Sequence, residues 1–126
     1  MSAIDRLRQI MARLRDPAGG CPWDREQDWA SIAPHTIEEA YELADAIARG
    51  ETEAVRDELG DVLFQVVFQS RIAEERGLFD FDTVATSIAD KLERRHPHVF
   101  ADAKIENSAA QAQAWEQHKR AERVAR

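Results

Sequence analysis

Cysteine is almost absent from this sequence of 126 residues, and Cys21 is its single example. One cysteine cannot form an internal disulfide or a cysteine-rich zinc site, and its scarcity fits a reducing, cytoplasmic location. Long apolar runs are also missing, since no stretch approaches the roughly twenty residues that a membrane-spanning helix requires. The opening MSAIDRLRQIMARL lacks the apolar block of a secretion signal. The sequence therefore predicts a cytoplasmic protein without a membrane partner.

Lysine is scarce as well, and none occurs before Lys91. The net charge of −7 disfavours nucleic acid as a general partner. Acidic residues concentrate in the range 38–61, whereas many of the basic residues lie in the last third of the chain. With 44% hydrophobic and 33% charged residues, the chain is expected to be neither disordered nor embedded in a membrane. Its length predicts a single domain over 1–126 with one core.

Strand-like alternation and internal repeats are absent, whereas start and stop signals of helices recur along the sequence. Ser2 and Asp5 are expected to form a capping box for a first helix that ends ahead of Pro17. Pro34 is expected to open the second helix within its first turn, and Gly50 to end it.

Three further helices are expected after Gly50. The third helix is expected to run from Thr52, as its cap, to Arg76-Gly77, and the fourth from Asp82 to the residue before Pro97. A capping box of Ser108 and Gln111 is expected to begin the last helix. These signals predict an all-α bundle of about five helices. The range 105–126 is expected to be a mobile C-terminal helix or a connector.

The second predicted helix carries three glutamates, Glu38, Glu39 and Glu42. At 100° per residue they cover about a third of the helix circumference. Taken alone, this pattern is also typical of an ordinary solvated face of an amphipathic helix.

The third predicted helix carries a narrower polar strip, made of Glu58, Asp61 and Gln65 between two apolar surfaces. Carboxylates enclosed in this way must be paired, hydrogen-bonded or bound to metal. Because the connection around Gly50 is short, helices two and three are expected to form an antiparallel hairpin that brings Glu42 opposite Glu58.

Facing carboxylates in such a hairpin repel one another by roughly 3 kcal/mol per pair at about 5 Å. Either a cation balances them or some of the acids stay protonated. Oxygen ligands without cysteine favour Mg²⁺ or Mn²⁺. A di-iron carboxylate centre is the competing hypothesis, but it requires Glu-x-x-His on two helices, and the chain offers only Glu93 to His96.

Four blocks of this sequence, GCPWDREQ, EEAYE, DELGD and KLERRHPHVF, resemble in their order and spacing the MazG nucleoside triphosphate pyrophosphohydrolases. The resemblance implies an all-α enzyme that uses Mg²⁺ to cleave NTP or dNTP between the α and β phosphates, giving a nucleoside monophosphate and pyrophosphate. It also implies Glu39, Glu42, Glu58 and Asp61 as metal ligands. Glu38 would be a further ligand or would orient the attacking water, so Glu38 and Glu39 are the expected catalytic pair. The chain looks like the N-terminal half of a two-domain MazG protein or a one-domain relative.

The same resemblance implies a substrate-binding set of Lys91, Arg95, Trp115 and Lys119. For Lys91 and Arg95 the alternative is that basic residues near a helix end complement the helix dipole. Trp23 is interpreted as a plug of the core, with base stacking as the alternative.

A homodimer with a four-helix core is expected, because Phe64 and Phe68 exceed what one small bundle readily buries, and the resemblance implies the same; a tetramer stays open.

Two other functions also remain open at this point. One is a catalytically weak regulatory half that binds metal and nucleotide, and the other is a structural dimerisation domain. Ala54 favours the former, since catalytic relatives often carry lysine four residues before the glutamate that matches Glu58.

Overall fold

The computed structural model describes residues 1–102 and 106–125 of the chain. Regular structure in these two ranges is helical, without a strand, which confirms the predicted all-α fold. The helices are α1 (Ala3–Leu14), α2 (Pro22–Glu26), α3 (Trp29–Arg49), α4 (Thr52–Glu75), α5 (Phe81–Arg95), α6 (Pro97–Phe100) and α7 (Ser108–Ala125). The predicted set of about five helices lacked the short helices α2 and α6. None of the described helices is long and apolar enough to cross a membrane.

Two compact units make up the chain, Met1–Phe81 and Asp82–Arg126. In the first unit, α1 begins at the predicted capping box. The Ser2 hydroxyl accepts the backbone N–H of Asp5 at 3.2 Å, and the Asp5 carboxylate accepts the backbone N–H of Ser2 at 3.2 Å. Helix α1 then packs against α4.

Helix α3 begins at Trp29, well ahead of Pro34, so the prediction that Pro34 opens this helix was wrong. A second capping box explains the earlier start. The Asp28 carboxylate accepts the backbone N–H of Ser31 at 2.8 Å, and the Ser31 hydroxyl accepts that of Asp28 at 2.9 Å. These bonds satisfy donors that every helix start leaves open. Pro34 lies inside the helix, where its lack of an N–H leaves one carbonyl without its helical partner.

Helices α3 and α4 form the predicted hairpin and are the most extensively packed pair of helices described. Gly50 ends α3 as predicted, with a φ of 68° that glycine adopts without strain. The capping role predicted for Thr52 was wrong, because Thr52 is the first helical residue and Glu51 is the cap. Helix α4 ends just before Arg76, followed by Gly77 with a φ of 70°, as expected.

The core of the first unit lies where α1, α3 and α4 meet. Its buried members are Met11, Ile32, Val67, Phe68 and Ile72. Phe68 is 0% exposed, and Phe64 packs against this cluster at a centroid distance of 5.6 Å from Phe68. The reason given for a homodimer, that Phe64 and Phe68 need a partner subunit, was therefore wrong.

In the second unit, α5 begins one residue before Asp82 and ends before Pro97, close to its predicted boundaries. The capping box predicted from Ser108 and Gln111 was wrong. Instead, the side chain of Asn107 accepts the backbone N–H of Ala110 at 2.9 Å. Part of the segment predicted as a mobile helix or connector, namely 105 and 126, lies outside the described residues.

Candidate functional site

Three carboxylates from the two long helices meet in the first unit. Glu39 comes from α3, whereas Glu58 and Asp61 come from α4, where their i to i+3 spacing puts them on one side of the helix. One carboxylate oxygen of each residue lies within 4.8 Å of the other two. The short connection at Gly50 makes this possible, because it holds α3 and α4 side by side. The three acids are called the acidic cluster below.

Burial and repulsion both act on this cluster. The Oε2 atoms of Glu39 and Glu58 are buried, and neither has a hydrogen-bond partner in the described part of the chain. Burial raises the pKa of both carboxyls, and the charges of Glu42 and Asp61 raise it further. A cation or a proton is needed to relieve such a site.

The donor atoms of the cluster fit a hard divalent cation. All three ligands are carboxylates, which suit Mg²⁺ and Mn²⁺ better than softer metals. A bound cation would also give the two buried oxygens the partner that they lack. His96, from the competing di-iron motif, is not part of this group, and its Nδ1 lies 2.6 Å from the carbonyl oxygen of Leu92.

Two predicted acids lie beside the acidic cluster rather than within it. Glu42 is exposed to solvent, yet its charge acts on both Glu39 and Glu58, as the predicted pairing across the hairpin requires. Glu38 precedes Glu39 on α3 and is also exposed. Its role in orienting water stays a prediction.

A polar network that the sequence did not reveal lies next to the acidic cluster. Thr36 Oγ1 donates to Gln65 Oε1 at 2.8 Å, and Gln69 Nε2 donates to Thr36 Oγ1 at 2.6 Å. Gln65 is buried, so the strip predicted from Glu58 to Gln65 ends in the interior. The i to i+4 spacing of Gln65 and Gln69, which puts both side chains on one side of α4, was the sequence signal that could have revealed this network. The network fixes the separation of α3 and α4 close to the carboxylates.

A basic cavity of about 570 Å³ lies in the second unit. Its lining residues are Lys91, Arg95, Lys119, Glu122 and Arg123. The guanidinium of Arg95 lies over the ring of Trp115 at 4.6 Å from its centroid. The fold thus brings together the four residues predicted to bind substrate. Stacked guanidinium and ammonium groups suit phosphate oxygens, although the role itself stays a prediction.

Sequence reasoning missed Glu122, which lines the same cavity. Glu122 Oε2 accepts from Arg95 Nε at 2.8 Å and from Arg95 Nη2 at 2.7 Å, while Oε1 accepts from Arg94 Nη2. Hydrogen bonds from Arg95 and then from Arg94 hold the pKa of Glu122 below its usual range. Only the folding of α7 against α5 makes this pairing visible, since 27 positions separate Glu122 from Arg95.

Trp23 lies at the surface of the first unit and not in a plug position. It is 47% exposed, and its ring contacts Phe68 edge to face at 6.4 Å between centroids and His35 at 5.3 Å. The interpretation of Trp23 as a core plug therefore holds for one edge of its ring only.

Comparison with known proteins identifies the family of the domain. The sequence profile of the MazG nucleotide pyrophosphohydrolase domain matches residues 27–100. The chain is 59% identical over 124 residues to the nucleoside triphosphate pyrophosphohydrolase of Escherichia coli K12, covering 98% of this chain and 47% of that protein. It is 49% identical over 100 residues to the nucleoside triphosphate pyrophosphohydrolase/pyrophosphatase MazG of Thermotoga maritima, covering 79% and 39%. The chain thus spans about half or less of the length of these relatives.

A solved structure shares the fold. The crystal structure of a mazG-related protein from Thermotoga maritima superposes with a TM-score of 0.72 at 24% identity, covering 92% of this chain and 98% of that one. This likeness concerns the fold alone, whereas the profile match and the 59% identity concern the sequence itself. On that evidence, the chain belongs to the MazG nucleotide pyrophosphohydrolase domain family.

Proposed function

We propose that this chain hydrolyses nucleoside triphosphates to a nucleoside monophosphate and pyrophosphate, with Mg²⁺ as cofactor and Mn²⁺ as a substitute. The observation that carries the proposal is the pair of buried, unpartnered carboxylate oxygens on Glu39 and Glu58, next to Asp61. Carboxylates are buried at a large cost unless a charge compensates them. Membership of the MazG family supports the reaction class.

In the proposed mechanism the side chains have separate tasks. Glu39, Glu58 and Asp61 would hold the cation, and Glu42 would add negative charge at its border. A bound divalent ion supplies charge neutralisation of phosphate oxygens and a lowered pKa of nearby water. Glu38 orients a water and takes its proton as the water oxygen bonds to the α-phosphorus. The bond from that phosphorus to the α–β bridging oxygen breaks, and pyrophosphate leaves with the electron pair.

The basic cavity is proposed to bind the phosphate chain of the substrate. Lys91, Arg95 and Lys119 supply positive charge, and Trp115 supports the guanidinium of Arg95. This source of charge matters because no lysine precedes Lys91, and Ala54 stands where catalytic relatives are expected to carry lysine.

The test is pyrophosphate release from a panel of NTPs and dNTPs with Mg²⁺, for wild type, Glu39→Gln and Asp61→Asn. Each variant removes a ligand charge at nearly constant volume, so we expect turnover to fall by about 100-fold or more. Asp57→Asn is the matched control, because Asp57 is an exposed acid on α4 outside the acidic cluster. Turnover that persists unchanged in both variants would exclude the proposed ligands.

A second candidate function is a regulatory half that binds metal and nucleotide with little turnover. The presence of Ala54 favours this alternative. It predicts no pyrophosphate release, together with a Mg²⁺-dependent rise in melting temperature that is lost in Glu39→Gln. A purely structural dimerisation domain instead predicts that Glu39→Gln and Asp61→Asn stabilise the fold and that Mg²⁺ has no effect.

A homodimer is part of the proposal. The outer faces of α3 and α4 expose large apolar side chains, including Ile37, Tyr41, Leu59 and Leu63. Tyr41 is 73% exposed, and Leu59 is 53% exposed. Large apolar side chains exposed on both of these neighbouring helices support a second copy of the chain as the covering partner.

A further inference from the structure

Glu122 is the one acid among the residues that line the basic cavity, within the described part of the chain. The other lining residues are two lysines and two arginines. A carboxylate in the wall of an anion-binding cavity lowers the affinity for anions by repulsion, so its presence calls for a separate role. The contacts of Glu122 indicate what it does.

Arg95 is the residue that Glu122 neutralises most directly. The side chain of Arg95 is 9% exposed, and both its Nε and its Nη2 are directed at Glu122 Oε2, at 2.8 and 2.7 Å. A guanidinium presents the same edge to carboxylate and to phosphate, because both oxyanions match its planar fork. The donors that a phosphate group would use are therefore already engaged by the protein's own carboxylate.

We propose that Glu122 sets the affinity of the basic cavity for phosphate groups by occupying the guanidinium of Arg95 until a phosphate displaces it. The inference rests on the proposed function in one respect, namely that a phosphate chain is the ligand of this cavity. When only a fraction of molecules has the binding-competent arrangement, the apparent affinity falls by that fraction. Glu122 thereby keeps the ligand-free Arg95 paired and leaves only highly charged phosphate chains able to compete.

A positioning role for Glu122 would have the opposite consequence. If Glu122 served to hold Arg95 in place for the ligand, its removal would weaken phosphate binding. If Glu122 competes with the ligand, its removal strengthens binding. The sign of the change therefore separates the two roles.

The experiment is calorimetric titration of the full chain with inorganic tripolyphosphate, without divalent cation, for wild type and Glu122→Gln. We expect the variant to bind about tenfold more tightly, since one charge-assisted pairing no longer has to be displaced. Glu93→Gln, which neutralises an exposed acid on α5 outside the cavity, should bind as wild type does. Equal or weaker binding by Glu122→Gln overturns the inference, as does the absence of binding to either protein.

A double-mutant cycle separates displacement from simple removal of negative charge. In an Arg95→Gln background, the gain from Glu122→Gln should vanish, because the guanidinium of Arg95 is no longer there to be released. Arg94, the other partner of Glu122, is not among the residues that line the cavity. A gain that persists there overturns the inference in favour of a general charge effect. Glu122→Asp offers a second probe that keeps the charge but shortens the side chain, and it should show an intermediate gain.

These measurements do not depend on turnover. A chain that binds tripolyphosphate as expected but releases no pyrophosphate from nucleotides would contradict the proposed hydrolysis and support the role of Glu122. A chain that hydrolyses nucleotides, but whose Glu122→Gln variant binds tripolyphosphate no more tightly than wild type, would support the hydrolysis and contradict the role of Glu122.

Discussion

Arg15 joins the segment between α1 and α3 to helix α4. Its Nη1 donates to the carbonyl oxygens of Asp24 and Gln27 at 2.7 and 2.8 Å, while Nη2 and Nε donate to the two carboxylate oxygens of Glu75 at 2.7 and 3.1 Å. The guanidinium also lies over the ring of Phe68, 5.5 Å from its centroid. One side chain thus satisfies the carbonyl of Asp24 in α2 and that of Gln27, and it orients the start of α3, which carries Glu39.

We expect Arg15→Ala to lower the free energy of unfolding by about 3 kcal/mol, because buried acceptors and Glu75 lose their donor. Arg15→Lys should cost less, yet a single ammonium cannot replace a fork that serves three residues. Urea denaturation monitored by circular dichroism measures both. Arg13→Ala, at an exposed position of the same helix, is the control, and equal losses at positions 13 and 15 would contradict the prediction.

The same variants have a defined pH dependence. Hydrogen bonds from Arg15 hold the pKa of Glu75 below its ordinary value of 4.5. The folded protein therefore binds fewer protons at Glu75 than the unfolded chain does, so the contribution is complete above about pH 4.5 and is lost as the pH falls through the lowered pKa. The difference in stability between wild type and Arg15→Ala should shrink below pH 4.5 and stay constant from pH 6 to pH 7.

At the scale of elements, the start of α3 decides where the acidic cluster lies. The capping box of Asp28 and Ser31 begins the helix upstream of Pro34, so Pro34 is accommodated in its interior. The full turn gained in this way contains Ile32, which is buried in the core and anchors α3 against α4. A helix beginning at Pro34 would lack that anchor.

Asp28→Ala should reduce the stability of the fold by about 1 kcal/mol, because the backbone N–H of Ser31 loses the Asp28 carboxylate as its acceptor. Asp28→Asn, which can still accept from the backbone of Ser31, should retain most of the stability. Thermal melting of the three proteins at pH 7 measures the effect. An Asp28→Ala protein as stable as wild type would mean that core packing of Ile32 alone determines the helix start.

At the scale of the whole molecule, the apolar outer faces of α3 and α4 remain uncovered by the first unit itself. Gly60, three residues before Leu63, borders this surface in the middle of a long helix. Among the described residues, and apart from the backbone of its own helix, a β-carbon at Gly60 would meet nothing within 4 Å. Packing within the subunit therefore gives no reason for glycine, which costs about 1 kcal/mol relative to alanine in a helix interior.

Gly60→Ala distinguishes a free surface from an interface between copies. In a dimer that packs a helix close to Gly60, the added methyl group should weaken association while the isolated subunit gains about 1 kcal/mol in helix propensity. Sedimentation over a concentration series, with Leu63→Ser as a companion variant that removes apolar area, measures the association. A Gly60→Ala protein that dimerises as wild type does would falsify close packing at this position.

Much of the acidic cluster was predictable from local sequence. Sequence reasoning could identify Glu39, Glu58 and Asp61, because helical periodicity determines which helix face each residue lies on. The short turn at Gly50 then determines which two helices pair. The starts of helices were harder to predict. At Pro34, Thr52 and Ser108, a neighbouring residue caps the helix in place of the expected one. Cap choice is a competition among adjacent side chains of similar strength, so sequence alone resolves it poorly.

By itself, the sequence determined the all-α fold, the hairpin of α3 and α4 and the acids that this hairpin brings together, because each depends on contacts between residues near in sequence. The tertiary structure alone decided that Phe68 is buried within the subunit and that Phe64 packs against the same core, since that depends on where α1 packs. It also decided that the Oε2 atoms of Glu39 and Glu58 are buried without a hydrogen-bond partner among the described residues. Finally, it placed Glu122 against Arg95, because packing between distant helices is not recorded in the periodicity of either one.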